Sequence, residues 1–394
     1  MNYFIIPRKV IKNKHSVVVF GSGPIAISAA LLLSKNGIDV AIIIDENKLK
    51  NRKGGPARLF ALAYNSCEIL KDFIDFNSSS QAINHIRVVD NNSRAKVDFL
   101  PIDIGLDTFG YMIDEADLID LLYSSLLKSN VKIYELNGGF DISQGEFFAT
   151  ITFNDQSIYS PLIIAADGKY STIRQYLSME TEEYDYNQTA IVIDIRHSSW
   201  PHQGVAVEKF TPNGPFAILP KYNENCTTSS LVWVEEGKLD HIPFSEKIMR
   251  DLIMVKLDQY LGDIELISEP IIYHLKLIKS LKRFCGRVVF VGDAAQAIHP
   301  IAGQGFNLGL RDIIEVVKLI CDSADIGIDY GTCLEKYSMS RDTDVSKMIL
   351  STSLLNSLFA NDIFPLKILR RLGLKIFDKI PLFKKTTMKY ACGL

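Results

Sequence analysis

Near the start of the chain, Ser16-Val17-Val18-Val19-Phe20 runs into Gly21-Ser22-Gly23-Pro24-Ile25-Ala26 and then into an Ala- and Leu-rich segment that predicts a helix over residues 27–35. No other feature restricts the fold as tightly. Glycines between a buried strand and a helix let a pyrophosphate approach the backbone, where the helix N-terminus offers free N–H groups. Ala26 occupies the third small position of this fingerprint and Pro24 opens the helix. A second apolar run, Val40-Ala41-Ile42-Ile43-Ile44, completes a βαβ unit. The acidic residue that accepts ribose hydroxyls belongs at the end of that second strand, where Asp45 and Glu46 stand side by side. Both are candidates, and the carboxylate that does not bind merely starts a solvated loop.

The chain has 394 residues, enough for two or three packed units, with 47% hydrophobic and 23% charged side chains. Such a composition excludes wholesale disorder and disulfide miniproteins. With 43 Lys+Arg against 46 Asp+Glu, no global field favours nucleic acid. The six cysteines form no CxxC pair and the seven histidines sit in no ligand-spaced cluster, so no metal site is expected. Arg8, Lys9, Lys12 and Lys14 precede a charge-free stretch over 16–34 that superficially resembles a signal or spanning segment. The break at Gly21-Ser22-Gly23-Pro24 and the lack of a small-x-small site argue against it. A cytoplasmic protein is expected, with at most peripheral contact on the inner face of a membrane.

Two later segments repeat the pattern of acid and glycine beyond a buried strand. Ala166-Asp167-Gly168-Lys169-Tyr170-Ser171-Thr172-Ile173-Arg174 follows Leu162-Ile163-Ile164. Gly292-Asp293-Ala294-Ala295-Gln296 follows Arg287-Val288-Val289-Phe290-Val291 and leads through His299, Pro300 and Ala302 to Gly303-Gln304-Gly305-Phe306-Asn307. Open α/β sheets bind ligands at such strand ends, so Asp293 can hydrogen-bond ribityl hydroxyls. The 302–305 loop can turn backbone N–H groups toward the flavin N1/O2 edge. Taken singly, an Asp-Gly pair is more often a helix cap or a turn. Three in order point to FAD.

The expected fold is α/β with α+β character: a Rossmann-like unit built discontinuously from residues 1–70, 100–180 and 282–330, a β-sheet unit from 71–99 and 181–281, and a helical, basic C-terminal region over 331–394. A strand pair turning near Gly138-Gly139 is expected within the first unit.

Together the three motifs resemble the single-component flavin aromatic hydroxylases of the p-hydroxybenzoate hydroxylase fold, with an FAD domain, an inserted β-sheet substrate domain and C-terminal helices. Nearly the full chain resembles the ubiquinone-biosynthesis hydroxylase family within that group. Arg58-Leu59-Phe60-Ala61-Leu62 with Ser66, Gly110-Tyr111, Tyr186-Asn187-Gln188-Thr189-Ala190, His202, Glu208-Lys209-Phe210-Thr211-Pro212-x-Gly214-Pro215-x-Ala217-x-Leu219-Pro220 and Trp233 carry the resemblance. Gln296, where relatives commonly have His, resembles the 2-polyprenyl-6-methoxyphenol hydroxylase branch. On the helix after Gly110-Tyr111 the chain departs from its relatives, with Ile119 and the acidic Asp114, Glu115, Asp117 and Asp120 where they often carry Asn, Arg or Gln, so no flavin contact is carried over to that helix.

The resemblance implies FAD held by Gly21, Gly23, Pro24, Ala26, Asp45, Glu46, Arg58, Asp167, Gly168, Arg174, Gly292, Asp293, Pro300, Ala302, Gly303, Gln304, Gly305, Phe306 and Asn307. It implies NAD(P)H as transient reductant, dioxygen, a C4a-hydroperoxide and a polyprenyl phenol substrate, with other quinone-synthesis enzymes as partners. His299 and Pro300 beside the flavin and Gln188 on the β unit are the catalytic candidates, against packing, capping or a satisfied strand end. Pro215, Ala217 and Leu219 either line the cover over the flavin or are alternating core residues. After Asn361, eight basic residues face two acidic ones among Leu, Ile and Phe, a face for an anionic leaflet or for packing on the FAD unit. A hydroxylase of a soluble aromatic and a non-catalytic flavin scaffold are the alternatives.

Overall fold

A computed structural model describes residues 13–50, 58–90, 96–198, 201–211, 214–239, 245–257, 261–298, 303–359 and 380–394. At its centre lies Val17–Phe20, flanked in parallel by Val40–Ile44 and Ile163–Ala165 within a six-stranded sheet that Val288–Phe290 and Lys132–Glu135 extend to either side. Strands covered on both faces must be apolar throughout, which is why the run of β-branched residues here does not alternate with polar ones. One face, with Val17, Val19, Ile42 and Ile164, packs on the helices Pro24–Lys35, Glu115–Leu127 and Gln304–Asp325. The other, with Val18, Phe20, Ile43 and Ile163, is roofed by an antiparallel meander of Asp141–Gln144, Ala149–Phe153 and Gln156–Ser160.

Here the structure corrects one expectation. Lys132–Glu135 and Asp141–Gln144 do not pair across Gly138-Gly139: the first lies parallel to Val40–Ile44 in the central sheet, and the second pairs with Ala149–Phe153 in the meander. The glycines carry the chain from one layer to the next.

A second, nine-stranded sheet contains the long strand Thr181–His197 and the strands Val205–Thr211, Gly214–Lys221, Thr228–Glu236 and Ile271–Ser280. His85–Asp90 joins it parallel to Val205–Thr211. Ile191, Ile193, Ile195, Phe216, Ile218, Leu231 and Trp233 share one face and bury Met249, Ile253 and Leu257, the apolar stripe of the helix Glu246–Leu257. The alternate residues, among them Ala206 and Leu219, face the dinucleotide unit and pack with Ala61, Ile83 and Met112.

Two connections fix the layers to each other. Gln296–Ala297, immediately beyond the Gly292 turn, forms the edge strand of the large sheet. Lys221 Nζ lies 2.6 Å from Asp194 Oδ2 and 3.0 Å from Asp114 Oδ1, the latter on the small sheet of Leu59–Ala63, Gly110–Asp114 and Ser80–Ala82. Burial alone would lower the Lys221 pKa, but the two carboxylates overcome it and hold the ammonium above its ordinary value. Beyond Gln304–Asp325 come the helices Leu334–Phe359 and Pro381–Cys392. Most of the basic stretch, including Lys367, Arg370, Arg371, Lys375 and Lys379, lies outside the described residues. Among the described residues no helix is long and apolar enough to cross a membrane.

Candidate functional site

The C-terminal ends of the central strands open into a cavity of about 730 Å³, within the range of small-molecule and cofactor sites. Gly21, Gly23, Pro24, Asp45, Arg58, Asp167, Gly168, Asp293, Gly305 and Phe306 all line it, so segments far apart in sequence meet on one wall. At Gly21 a Cβ would stand 2.4 Å from the Ala166 carbonyl oxygen, and φ is +148°. Only glycine lets the first and second segments of the site touch there. Ala26 is buried beside Gly21 rather than on the wall, where its methyl sets the spacing of helix and turn. At Gly23 and Gly168 the space a Cβ would fill is open. Together with the N-terminus of Pro24–Lys35 this makes a cradle of the shape and polarity a pyrophosphate needs.

Asp45 and Glu46 part company. Asp45 lines the cavity, its N–H donating to Ser22 Oγ at 2.8 Å and its Oδ1 accepting from Asn47 N at 3.0 Å, while Glu46 begins the helix Glu46–Lys50 away from the wall. Asp167 does two things at once. Its Oδ2 accepts from Thr172 N at 2.7 Å, Thr172 Oγ1 at 3.0 Å and Ile173 N at 3.2 Å, capping a short helix, whereas Oδ1 is buried with no hydrogen-bond partner among the described residues. A buried, unmatched acceptor on a cavity wall is a place for a ligand hydroxyl or amide.

Asp293 sits among cations. Burial pushes its carboxyl up, Arg58 and Lys169 pull against that rise, and Asp312 adds to it. Burial likewise lowers the Lys169 ammonium, which Asp293 opposes and Lys276 and Arg58 reinforce. Arg58 also lies over the Phe60 ring, 4.9 Å from its centroid. The arrangement places acceptors for hydroxyls next to positive charge for phosphate, and these residues fit FAD.

Several expected site residues stand behind the wall. The Arg174 guanidinium donates to the Ala294 carbonyl at 2.8 Å and the Lys169 carbonyl at 2.7 Å, so it clamps the second and third segments together. Asn307 accepts from Ala63 N and Ser66 Oγ and donates to the Ala61 carbonyl, locking its helix to Leu59–Ala63. Gly292 N donates to Asp312 Oδ2 at 2.9 Å, and Gln296 bridges the same Oδ2 to Arg283. Gln296 is therefore buried in an ionic network with Asp312, Arg283 and Arg341. Gly303 caps the helix Gln304–Asp325, with Gln304 as its first residue. Gln188 is buried at a bulge of the long strand and is not on the cavity wall. Pro215 and Ala217 are buried and Leu219 half-buried on the inner face of the large sheet, and none of the three lines the cavity. His299, Pro300 and Ala302 lie outside the described residues.

Sequence reasoning missed Phe140 and Tyr176. They close one end of the cavity, with ring centroids 5.6 Å apart, and Phe140 leans on Phe20 at 4.9 Å. A Gly-Gly-aromatic loop beyond a strand of the central sheet was the available signal, hidden by assigning Gly138-Gly139 to a hairpin. Glu115 lines the cavity as well, its N–H donating to the Arg58 carbonyl at 2.8 Å.

Comparison with known proteins agrees with this geometry. Residues 144–349 match the family described as FAD binding domain. The chain is 30% identical to ubiquinone hydroxylase UbiL of Rhodospirillum rubrum over 96% of its length and 89% of the relative's. It is 28% identical to ubiquinone hydroxylase UbiM of Neisseria meningitidis, covering 96% and 84%. Among solved structures, p-nitrophenol 4-monooxygenase PnpA of Pseudomonas putida superposes with a TM-score of 0.74 at 17% identity, over 95% of this chain and 97% of that one.

Proposed function

The chain belongs to the FAD-binding family of flavin monooxygenases that includes the ubiquinone hydroxylases, and from that premise we propose that it hydroxylates the ring of a polyprenylated phenol of the 2-polyprenyl-6-methoxyphenol type in ubiquinone biosynthesis. The observation that carries this reading is likeness to a ubiquinone hydroxylase over 96% of the chain, well beyond the cofactor segments into the large sheet. When bound, FAD would supply the redox chemistry: hydride acceptance from a nicotinamide nucleotide and activation of dioxygen, one oxygen atom going to the ring and the other to water.

The protein's share is binding, orientation and the exclusion of water. Gly21, Gly23 and Pro24 accept the pyrophosphate at a helix N-terminus, Asp45 takes the ribose hydroxyls, and Arg58 offsets phosphate charge. Asp293 and the free oxygen of Asp167 serve the remaining hydroxyls. Arg174, Asn307 and Gln296 hold the loops that carry those groups. The large sheet stands over the reacting ring and keeps water from it. NAD(P)H arrives transiently, and the polyprenyl chain draws the protein to a membrane surface and to other enzymes of quinone synthesis.

Quinone analysis by mass spectrometry tests the proposal in strains that each lack one ubiquinone hydroxylase and carry this gene or an empty vector. Restored ubiquinone in the strain lacking the position-1 hydroxylase is expected. If no strain recovers although the protein is expressed and yellow with FAD, the substrate assignment fails.

A further inference from the structure

The helix Pro381–Cys392 packs on the rest of the molecule through Met388 and Cys392, and near its end Arg311 lies 5.4 Å from the centroid of the Tyr390 ring and donates to the Tyr390 carbonyl at 3.0 Å. Met388 and Cys392, one turn apart, are buried with Phe109 and Met112, and Lys384, one turn earlier, holds its ammonium 5.6 Å from the centroid of the Phe99 ring. The short turn Pro101–Ile104 packs alongside. On its other face the first turn of the helix is open to water: Leu382 is 75% exposed and Phe383 64%, and Ile102 in the neighbouring turn is 71% exposed. Lys385 and Lys389 are exposed on the flank, and this helix contains no acidic residue. Scattered apolar side chains on a surface need no explanation. Two adjacent ones at the start of a helix whose charged side chains are all lysines, with a third beside them next to Asp103, do.

We infer that this face of Pro381–Cys392, with the Pro101–Ile104 turn, seats on an anionic lipid bilayer. Leu382, Phe383 and Ile102 would enter the boundary of the acyl chains while Lys385 and Lys389 meet acidic headgroups. Charge complementarity selects this occupant over a second copy of the chain, because a two-fold contact would press the lysine flank against its own image. The patch is also continuous with the site. The cluster under the helix runs from Met388 through Met112 to Ala61, whose Cβ lies 3.1 Å from where a Cβ on Gly303 would be. A packed apolar cluster thus connects the docking face to Gly303 at the head of the helix Gln304–Asp325, whose Gly305 and Phe306 line the cavity. That a polyprenyl phenol is the reason for docking rests on the function proposed above; binding to lipid does not.

The test is co-sedimentation of FAD-loaded protein with vesicles of phosphatidylcholine, alone or mixed with phosphatidylglycerol. Binding is expected to be about tenfold stronger on the mixed vesicles and to weaken with salt. Leu382→Glu/Phe383→Glu should lower it about tenfold at unchanged FAD content, and Ile102→Glu, on a separate element, should lower it without touching the helix. Equal sedimentation of wild type and all variants overturns the assignment, as does a concentration-dependent dimer that the same substitutions abolish. If vesicle binding behaves as expected but short-chain prenyl phenols in detergent are not hydroxylated, the docking surface stands and the substrate reading falls.

Discussion

Asp45 is the residue at which cofactor affinity is expected to respond most cleanly. Its carboxylate is on the cavity wall and accepts from Asn47 N, a bond that an amide oxygen can also accept, so Asp45→Asn keeps size while removing charge. Hydrogen bonds to charged groups contribute about 1.5–3 kcal/mol, which predicts an FAD dissociation constant raised roughly 10- to 100-fold with secondary structure intact. Flavin-fluorescence titration checks this; an unchanged affinity would remove Asp45 from the site, and Glu46→Gln should have no such effect. Glu208 tests a different kind of residue. It pairs with Ala217 and Val88 on the inner face of the large sheet, and burial pushes its carboxyl from 4.5 up to about 7. The native state therefore binds a proton that the unfolded chain has already released. Its contribution to stability is fully present below about pH 4.5 and is lost as pH rises through about 7. Glu208→Gln should raise the melting temperature at about pH 8 and leave it nearly unchanged at about pH 4, whereas equal shifts at both would mean that the carboxyl is solvated. Residue types and spacings made Gly21, Asp45, Asp167 and Asp293 legible from the sequence. They could not show that Asp167 caps a helix with one oxygen and keeps the other free, or that Arg174 and Asn307 act on loops rather than on the wall, because those depend on partners more than a hundred residues away.

At the scale of elements, the small sheet hinges on Gly110. Its φ is +131°, and a Cβ would fall 1.9 Å from the Leu62 carbonyl oxygen of the paired strand. Gly110→Ala must both leave a glycine-only conformation and part Gly110–Asp114 from Leu59–Ala63, which carries Phe60 to the cavity. A loss of about 3 kcal/mol or more in urea unfolding is expected, with FAD binding weakened alongside. A loss under about 1 kcal/mol would show that the strands can shift without harm. The Gly-Tyr pair was visible in the sequence as part of a resemblance; the crowding that demands glycine was not. The failed hairpin at Gly138-Gly139 has a similar cause. Lys132–Glu135 is an edge strand of a parallel sheet, half solvated, so it lacks the fully apolar run that marks the strands beside it as parallel and central. Periodicity reports which face is wet, never which strand lies beside it. The fully buried strands, Val17–Phe20, Val40–Ile44 and Ile163–Ala165, were unambiguous because nothing but a central position explains them.

Across the whole molecule, the cavity is built on the central sheet while the face proposed to cover it belongs to the large one, so catalysis needs the two held together. The Lys221 ammonium between Asp194 and Asp114 and the edge strand Gln296–Ala297 do this. Behind them, the Asp312 carboxylate receives Gly292 N, Gln296 and Arg341, tying the cofactor turn to the helices that follow. FAD at about 100 times its dissociation constant adds about 2.7 kcal/mol to the state that binds it. With about 2.1 cal/mol/K per residue, unfolding 394 residues as one unit corresponds to an entropy near 0.8 kcal/mol/K, and the melting temperature should rise about 3 °C. Calorimetry should show one transition that moves as a whole. Two transitions, of which FAD moves only one, would mean that the sheets unfold independently and that their connections contribute little. Lys221→Met separates these cases in a single protein. It strands Asp114, whose carboxyl burial already pushes up, beside Asp194 with no cation between them. Breaking a buried pair from one side costs about 3–5 kcal/mol, so this variant should melt lower and spread or split the transition, while FAD still binds the central sheet.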